Sequence, residues 1–216
     1  MGDLLKILIV IISFVLLSLG IYSAIVYGFK SWFTVFIIPM YIFISSINYI
    51  LKNKTTIKSG WKNFLKIYLL YFTVGASIEF VGYFLFKFWY FPEIKPATYL
   101  LNVLIVGYPM PLFVLSEVFN LSYYVIKKLS KKLFLKIALS MAISTFIVSV
   151  ISEYPNLFAY EWVYQNLPFT GILIFGTDAL IIVGWIILTC FSVSIITFLK
   201  IRNTSWVKIE VSENKK

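Results

Sequence analysis

Apolar positions gather into six long runs parted by short polar connections, at residues 4–28, 32–51, 64–90, 98–126, 134–153 and 170–199. A helix needs roughly 20 apolar residues to cross a hydrocarbon core of about 30 Å, and every run is long enough. The runs are continuously apolar and do not alternate, which predicts helices instead of the strands of a barrel. The expected fold is all-α, a polytopic membrane helical bundle of six transmembrane helices. Residues 1–199 form the single bundle and residues 200–216 a short polar cytoplasmic tail. The first run exceeds the apolar core of a leader peptide, so it reads as a retained span. Only residues 29–31 part the first two runs, and the last run is long enough to require a tilt, a bend or an interfacial extension.

The polar connections carry the orientation. Lys52, Lys54, Lys58, Lys62 and Lys66 follow the second run, and Lys127, Lys128, Lys131, Lys132 and Lys136 follow the fourth. Lys6 and the tail bases, from Lys200 to Lys216, fall on the same side. The alternate connections hold only Lys30, Lys87 and Lys95 of the 19 Lys and Arg. By the positive-inside rule both termini are cytoplasmic and the protein is a multi-pass component of the cell membrane. This accounts for the net charge of +10. The bases sit in short juxtamembrane loops, where they favour anionic lipid headgroups at the cytoplasmic face, and no nucleic acid is expected as a partner. With 61% hydrophobic and 13% charged residues and a mean hydropathy of +0.92, the composition excludes an ordinary soluble domain. The sequons at Asn53, Asn120 and Asn203 would face the cytoplasm and read as chance.

Several packing features stand out. In the fifth run Ala138, Ala142, Thr145, Ser149 and Ser152 form a small-residue stripe suited to a close helix contact. Gly171, Gly176 and Gly184 punctuate the sixth run, and Gly107-Tyr108-Pro109-Met110-Pro111 must disturb the fourth, because each proline removes a backbone donor. Trp89, Tyr90 and Tyr99, and again Tyr154, Tyr160, Trp162 and Tyr164, cluster where an aromatic belt belongs. Residues 155–168 suggest a short interfacial helix with Glu161 exposed. Runs three and four also echo runs five and six. Glu79 precedes Trp89 by ten residues and Glu153 precedes Trp162 by nine; Tyr90 and Tyr164 follow; then Pro96 and Pro168 lead into the next run, where Phe113 and Trp185 take corresponding places. Units of two helices predict a parallel repeat about an axis along the membrane normal.

Within the runs the acids are the candidate chemistry. Glu79 counts to roughly 16 Å below Tyr90, and Asp178 to about 12 Å below Thr170, at 1.5 Å per helical residue. An ionisable group at such depth costs at least about 2.5 kcal/mol and faces a bundle interior or a cavity. No base lies at comparable depth, so the two serve either as polar glue between helices or as part of an outward-facing acidic pocket walled by aromatics. Glu153 joins them as a catalytic candidate, and Glu117 is expected near the cytoplasmic interface. Trp89, Tyr90, Trp162, Tyr164, Trp185, Pro109 and Pro111 are the candidate pocket residues. The chain has no histidine and one cysteine, Cys190, so no cofactor or metal centre is expected and Ser-His catalysis is excluded.

From Phe88-Trp89-Tyr90 to Pro111, and again from Glu153 to Trp185, the order acid, aromatic pair, proline, helix resembles a group of small prokaryotic integral membrane proteins with no assigned activity. More distantly it resembles the membrane lycopene cyclases and carotenoid hydratases. That likeness implies an acid that protonates a polyene and aromatic rings that stabilise the cation. The cyclases' paired acids should fall near Pro109–Pro111 and at residues 178–183, and neither place has them. Three functions are therefore expected in turn: a binding, accessory or transport-related module that takes a hydrophobic small molecule or a membrane-protein partner; an acid-catalysed lipid or isoprenoid cyclase or hydratase; and a proton- or cation-coupled transporter.

Overall fold

The computed structural model describes residues 3–52, 55–129, 132–168, 171–174 and 176–199. The polar tail at residues 200–216 lies outside them. Helices α1 (Asp3–Tyr27) and α2 (Trp32–Lys52) form an antiparallel hairpin turned by Gly28, whose φ is +60°. They touch closely at Gly20, where a Cβ would lie 2.9 Å from the Cβ of Phe36, so the missing side chain allows the approach. A 3-10 turn (Thr56–Ser59) leads into α3 (Trp61–Glu79), which continues as a π-helix over Phe80–Leu85. After strand β1 (Trp89–Tyr90), α4 (Pro96–Tyr99) runs through a second π-helix, Leu100–Gly107, into α5 (Pro109–Ile126). Pro109 stands at the first position of α5, where an N–H would have had no partner.

Helix α6 (Leu133–Ala159) descends beside α5, and β2 (Val163–Tyr164) follows it. A hairpin of β3 (Leu173–Ile174) and β4 (Thr177–Asp178), turned at Gly176 with φ +77°, precedes α7 (Ala179–Phe198). Among the described residues six helical stretches, ending with Ala179–Phe198, are long and apolar enough to cross a membrane, so the chain is a multi-pass membrane protein. The bundle centres on α5, which is buried at nearly every position and packs against α2, α3, α6 and α7. The outer faces display Leu, Ile, Val and Phe, as a surface solvated by acyl chains should.

Some boundaries differ from the hydropathy reading. The sixth span begins at Ala179 and not at residue 170, because the β3–β4 hairpin takes up the preceding apolar stretch. The third ends at Leu85, so Glu79 lies only about 9 Å from that helix end. No interfacial helix follows Pro155; α6 continues through that proline to Ala159. The buried stripe of α6 runs through Ser140, Ser144, Thr145, Val148, Ser149 and Ser152, whereas Ala142 is exposed. Thr145, Ser149 and Ser152 lie on the expected stripe, while Ser140 and Ser144 replace Ala138 and Ala142, two residues away in each case, and Thr145 Oγ1 meets Thr189 Oγ1 of α7 at 2.8 Å.

Candidate functional site

Two carboxyl groups, one on α3 and one on α6, are each held by three aromatic donors. Glu79 is 1% exposed and accepts from Trp89 Nε1 at 3.0 Å and from the hydroxyls of Tyr99 and Tyr108. Two glycines make that cage possible. A Cβ on Gly75 would occupy the place of the Tyr108 Cβ, and one on Gly82 would lie in the indole of Trp89. Glu153, 4% exposed, accepts at Oε1 from Tyr164 OH and Trp185 Nε1, both at 2.9 Å. Its Oε2 receives one long bond, 3.3 Å from Trp162 Nε1, which that indole shares with Tyr164 OH.

The segments that deliver the two tryptophans are built alike. Lys87 and Tyr160, each two residues before its tryptophan, have left-handed φ of 53° and 52°. Strands β1 and β2 then pair antiparallel, Trp89 opposite Tyr164 and Tyr90 opposite Val163. Aligning Trp89 with Trp162 puts Tyr90 on Val163 and Phe91 on Tyr164, which is the equivalence under which this register maps onto itself. The one-residue difference in the spacing from acid to tryptophan coincides with the π-helix at Phe80–Leu85, since a π-bulge is an inserted residue. Phe113 does not take the place of Trp185. It stacks on Phe64 at 4.9 Å in the bundle centre, and Tyr108 supplies the third donor to Glu79.

The two carboxyl groups differ in what lies beyond them. Glu153, with Trp162, Tyr164 and Trp185, lines a cavity of about 480 Å³; Glu79 does not. Trp89, Tyr108, Pro111 and Leu188 complete much of an almost wholly apolar wall. Tyr90 and Pro109 are not part of it. On α7 the lining includes Val183 and Ile187, 47% and 50% exposed, about 6 and 12 Å along the helix from Ala179. These two exposed side chains bring the cavity wall to the outer face of α7, within its apolar span. Gly184 stands between them, and a Cβ there would meet nothing within 4 Å.

Glu161 also lines the cavity, against the expectation of an exposed side chain. Asn156 causes the difference. Its Oδ1 accepts the backbone N–H of Glu161 at 2.9 Å and its Nδ2 donates to the Trp162 carbonyl at 2.8 Å, which folds the turn inward. Glu161 Oε2 then accepts the N–H of Phe33 at 3.1 Å. Burial pushes its pKa up to about 8, against the smaller opposing pull of the Phe33 N–H and of Lys30. Burial and the neighbouring Glu153 carboxylate likewise hold the Tyr164 phenol far above its ordinary value.

Asp178 is not a deep acid. It caps α7, accepting the N–H of Leu180 at 2.9 Å and that of Gly171 at 3.3 Å. Glu117 is fully buried, bound by Asn48 Nδ2 at 2.7 Å, Thr55 Oγ1 at 3.0 Å, and both the N–H and the hydroxyl of Thr56. It ties the loop after α2 to α5. Among the described residues no group of three or more acidic, Cys or His side chains is placed to hold a metal ion. No family model, no curated protein and no solved structure matches the chain.

Proposed function

We propose that the protein is a membrane-embedded binding module that admits a hydrophobic small molecule from the bilayer into the cavity beside Glu153. The observation that carries this reading is the exposure of the lining residues Val183 and Ile187, with Gly184 between them, on the apolar span of α7, which supports a lateral opening toward acyl chains. A cavity of about 480 Å³ lies within the range of about 300–1,000 Å³ usual for small-molecule sites, and its apolar wall with few polar groups fits that class.

Positive-inside counting puts the basic connections and both termini in the cytoplasm, so the cavity faces the outer leaflet of the cell membrane. The matched turns, the self-consistent β1–β2 register and the twin carboxyl cages support a parallel repeat of the two helix pairs. In this scheme the Glu79 cage became a structural anchor and the Glu153 cage the floor of a binding site.

The runner-up is acid-catalysed chemistry on an apolar chain, favoured by a buried carboxyl among aromatic rings. Against it, all three contacts to Glu153 present hydrogen-bond donors, so the carboxyl is held as an acceptor. That arrangement suits recognition better than proton donation. The test is mass spectrometry of protein purified from membranes without added ligand. An apolar molecule should accompany the wild type and be depleted in Gly184→Phe. Identical extracts from both would contradict lateral uptake, and an altered polyene profile in a pigment-producing host would instead support the enzyme.

A further inference from the structure

The polar groups of the cavity wall are unequal in kind. Every indole and phenol donor that could address a ligand is already committed, Trp162, Tyr164 and Trp185 to Glu153, and Trp89 and Tyr108 to Glu79. Asn102 gives its Nδ2 to Ser31 Oγ at 3.1 Å. Among the described residues no lysine or arginine is part of the lining. A phosphate, carboxylate or carbonyl entering the cavity would therefore find every indole and phenol donor taken and, among the described lining residues, no base.

Acceptor capacity, in contrast, remains. A carboxylate offers about four lone-pair sites. Glu153 Oε2 has one bond of 3.3 Å, and Glu161 accepts one, from Phe33 N–H. Both carboxyl groups are buried in the wall of one cavity that is otherwise largely aromatic and aliphatic. Aromatic rings attract cations through their electron-rich faces, most strongly where the cation is desolvated.

Building on the uptake reading above, we propose that the molecule admitted is a lipophilic monocation, a hydrophobic amine in its ammonium form, with its N–H groups on Glu153 Oε2 and Glu161 and its apolar body along the channel past Gly184. The carboxyl pair and the prior commitment of the indole and phenol donors select the charge, and the apolar opening selects the body. An alcohol of the same shape keeps one O–H donor but forfeits the charge and the cation–π attraction. A carboxylate of the same shape meets two acids and no free indole, phenol or basic donor.

The experiment uses the full chain in nanodiscs of uncharged lipid at pH 9, where Glu161 is ionised and the amine still carries its charge, with dodecylammonium, dodecanol and dodecanoate as probes and intrinsic tryptophan fluorescence as the signal, since Trp162 and Trp185 flank the site. The ammonium should bind at least tenfold more tightly than the alcohol, and the carboxylate weakest of all. In Glu153→Gln that advantage should fall to threefold or less while alcohol binding persists. Because the wild-type comparison needs no variant, a poorly folding Glu153→Gln would not weaken it, and Glu161→Gln serves as the second substitution, also expected to shrink the advantage. Equal affinity for ammonium and alcohol, or a preference retained in both variants, overturns the cation assignment and leaves lateral uptake standing. Failure of all three probes to bind the wild type overturns lateral uptake as well.

Discussion

Gly184→Phe separates occupancy of the cavity from integrity of the fold. A Cβ at this position meets nothing within 4 Å, and the cavity of about 480 Å³ beyond it has room for a phenyl ring. Glycine in a helix interior costs about 1 kcal/mol relative to alanine, and phenylalanine roughly half that, so the backbone gains about 0.5 kcal/mol. Ring contacts with Trp185 and Leu188 would add to this, and nothing in the wall must move to accept them. Stability is thus expected within about 1 kcal/mol of the wild type, which for a chain of this length keeps the Tm within about 4 °C. Affinity for an apolar ligand should meanwhile fall at least tenfold, because the ring stands in the opening. Thermal unfolding in detergent and equilibrium binding by tryptophan fluorescence measure the two quantities on one sample. Unchanged binding would refute the argument that Gly184 borders the entry path. A Tm lower by ten degrees or more would show that it faces a packed wall.

Three further outcomes are expected. Glu79→Leu orphans the donors of Trp89, Tyr99 and Tyr108 and should cost roughly 3–9 kcal/mol at about 1–3 kcal/mol per buried group; Glu79→Gln keeps an acceptor and should cost less without loss of ligand binding, and thermal unfolding beside binding checks both. Asp178→Asn should be nearly neutral in Tm, since asparagine caps a helix as well as aspartate, whereas Asp178→Ala should cost about 1 kcal/mol. Glu161 carries the pH dependence: between its ordinary value of 4.5 and about 8 the folded carboxyl keeps a proton that the unfolded chain has released, so stability falls as pH rises through that window. Glu161→Gln should flatten this part of the Tm-against-pH curve, and an unaltered slope would assign the dependence to another group.

The spans were legible because each is an apolar run of membrane length, and hydropathy needs no tertiary information to find them. The echo from Glu79 to Trp89 and from Glu153 to Trp162 was legible for a related reason: both tryptophans reach back to an acid on the preceding helix. Depth was misjudged where the backbone leaves the helix. Asp178 looks buried by counting from residue 170, yet the hairpin turned at Gly176 brings it to the start of α7 as a cap. Glu161 looks exposed beside Tyr160, yet Asn156 folds its turn into the cavity. Such side chain-to-backbone bonds leave no periodic trace. Tyr108, hidden in a proline-rich break, could have been found only by asking which donor Gly75 makes room for.

Lateral entry beside Glu153 is the central claim, and photolabelling tests it most directly. A diazirine-bearing apolar probe, dissolved in the bilayer and activated by light, should label Trp162, Trp185 and Leu188 in the wild type and lose those adducts in Gly184→Phe, while labels on the lipid-facing side of α1 persist in both. Adducts confined to the outer helix faces, with none on the cavity wall, would contradict the account.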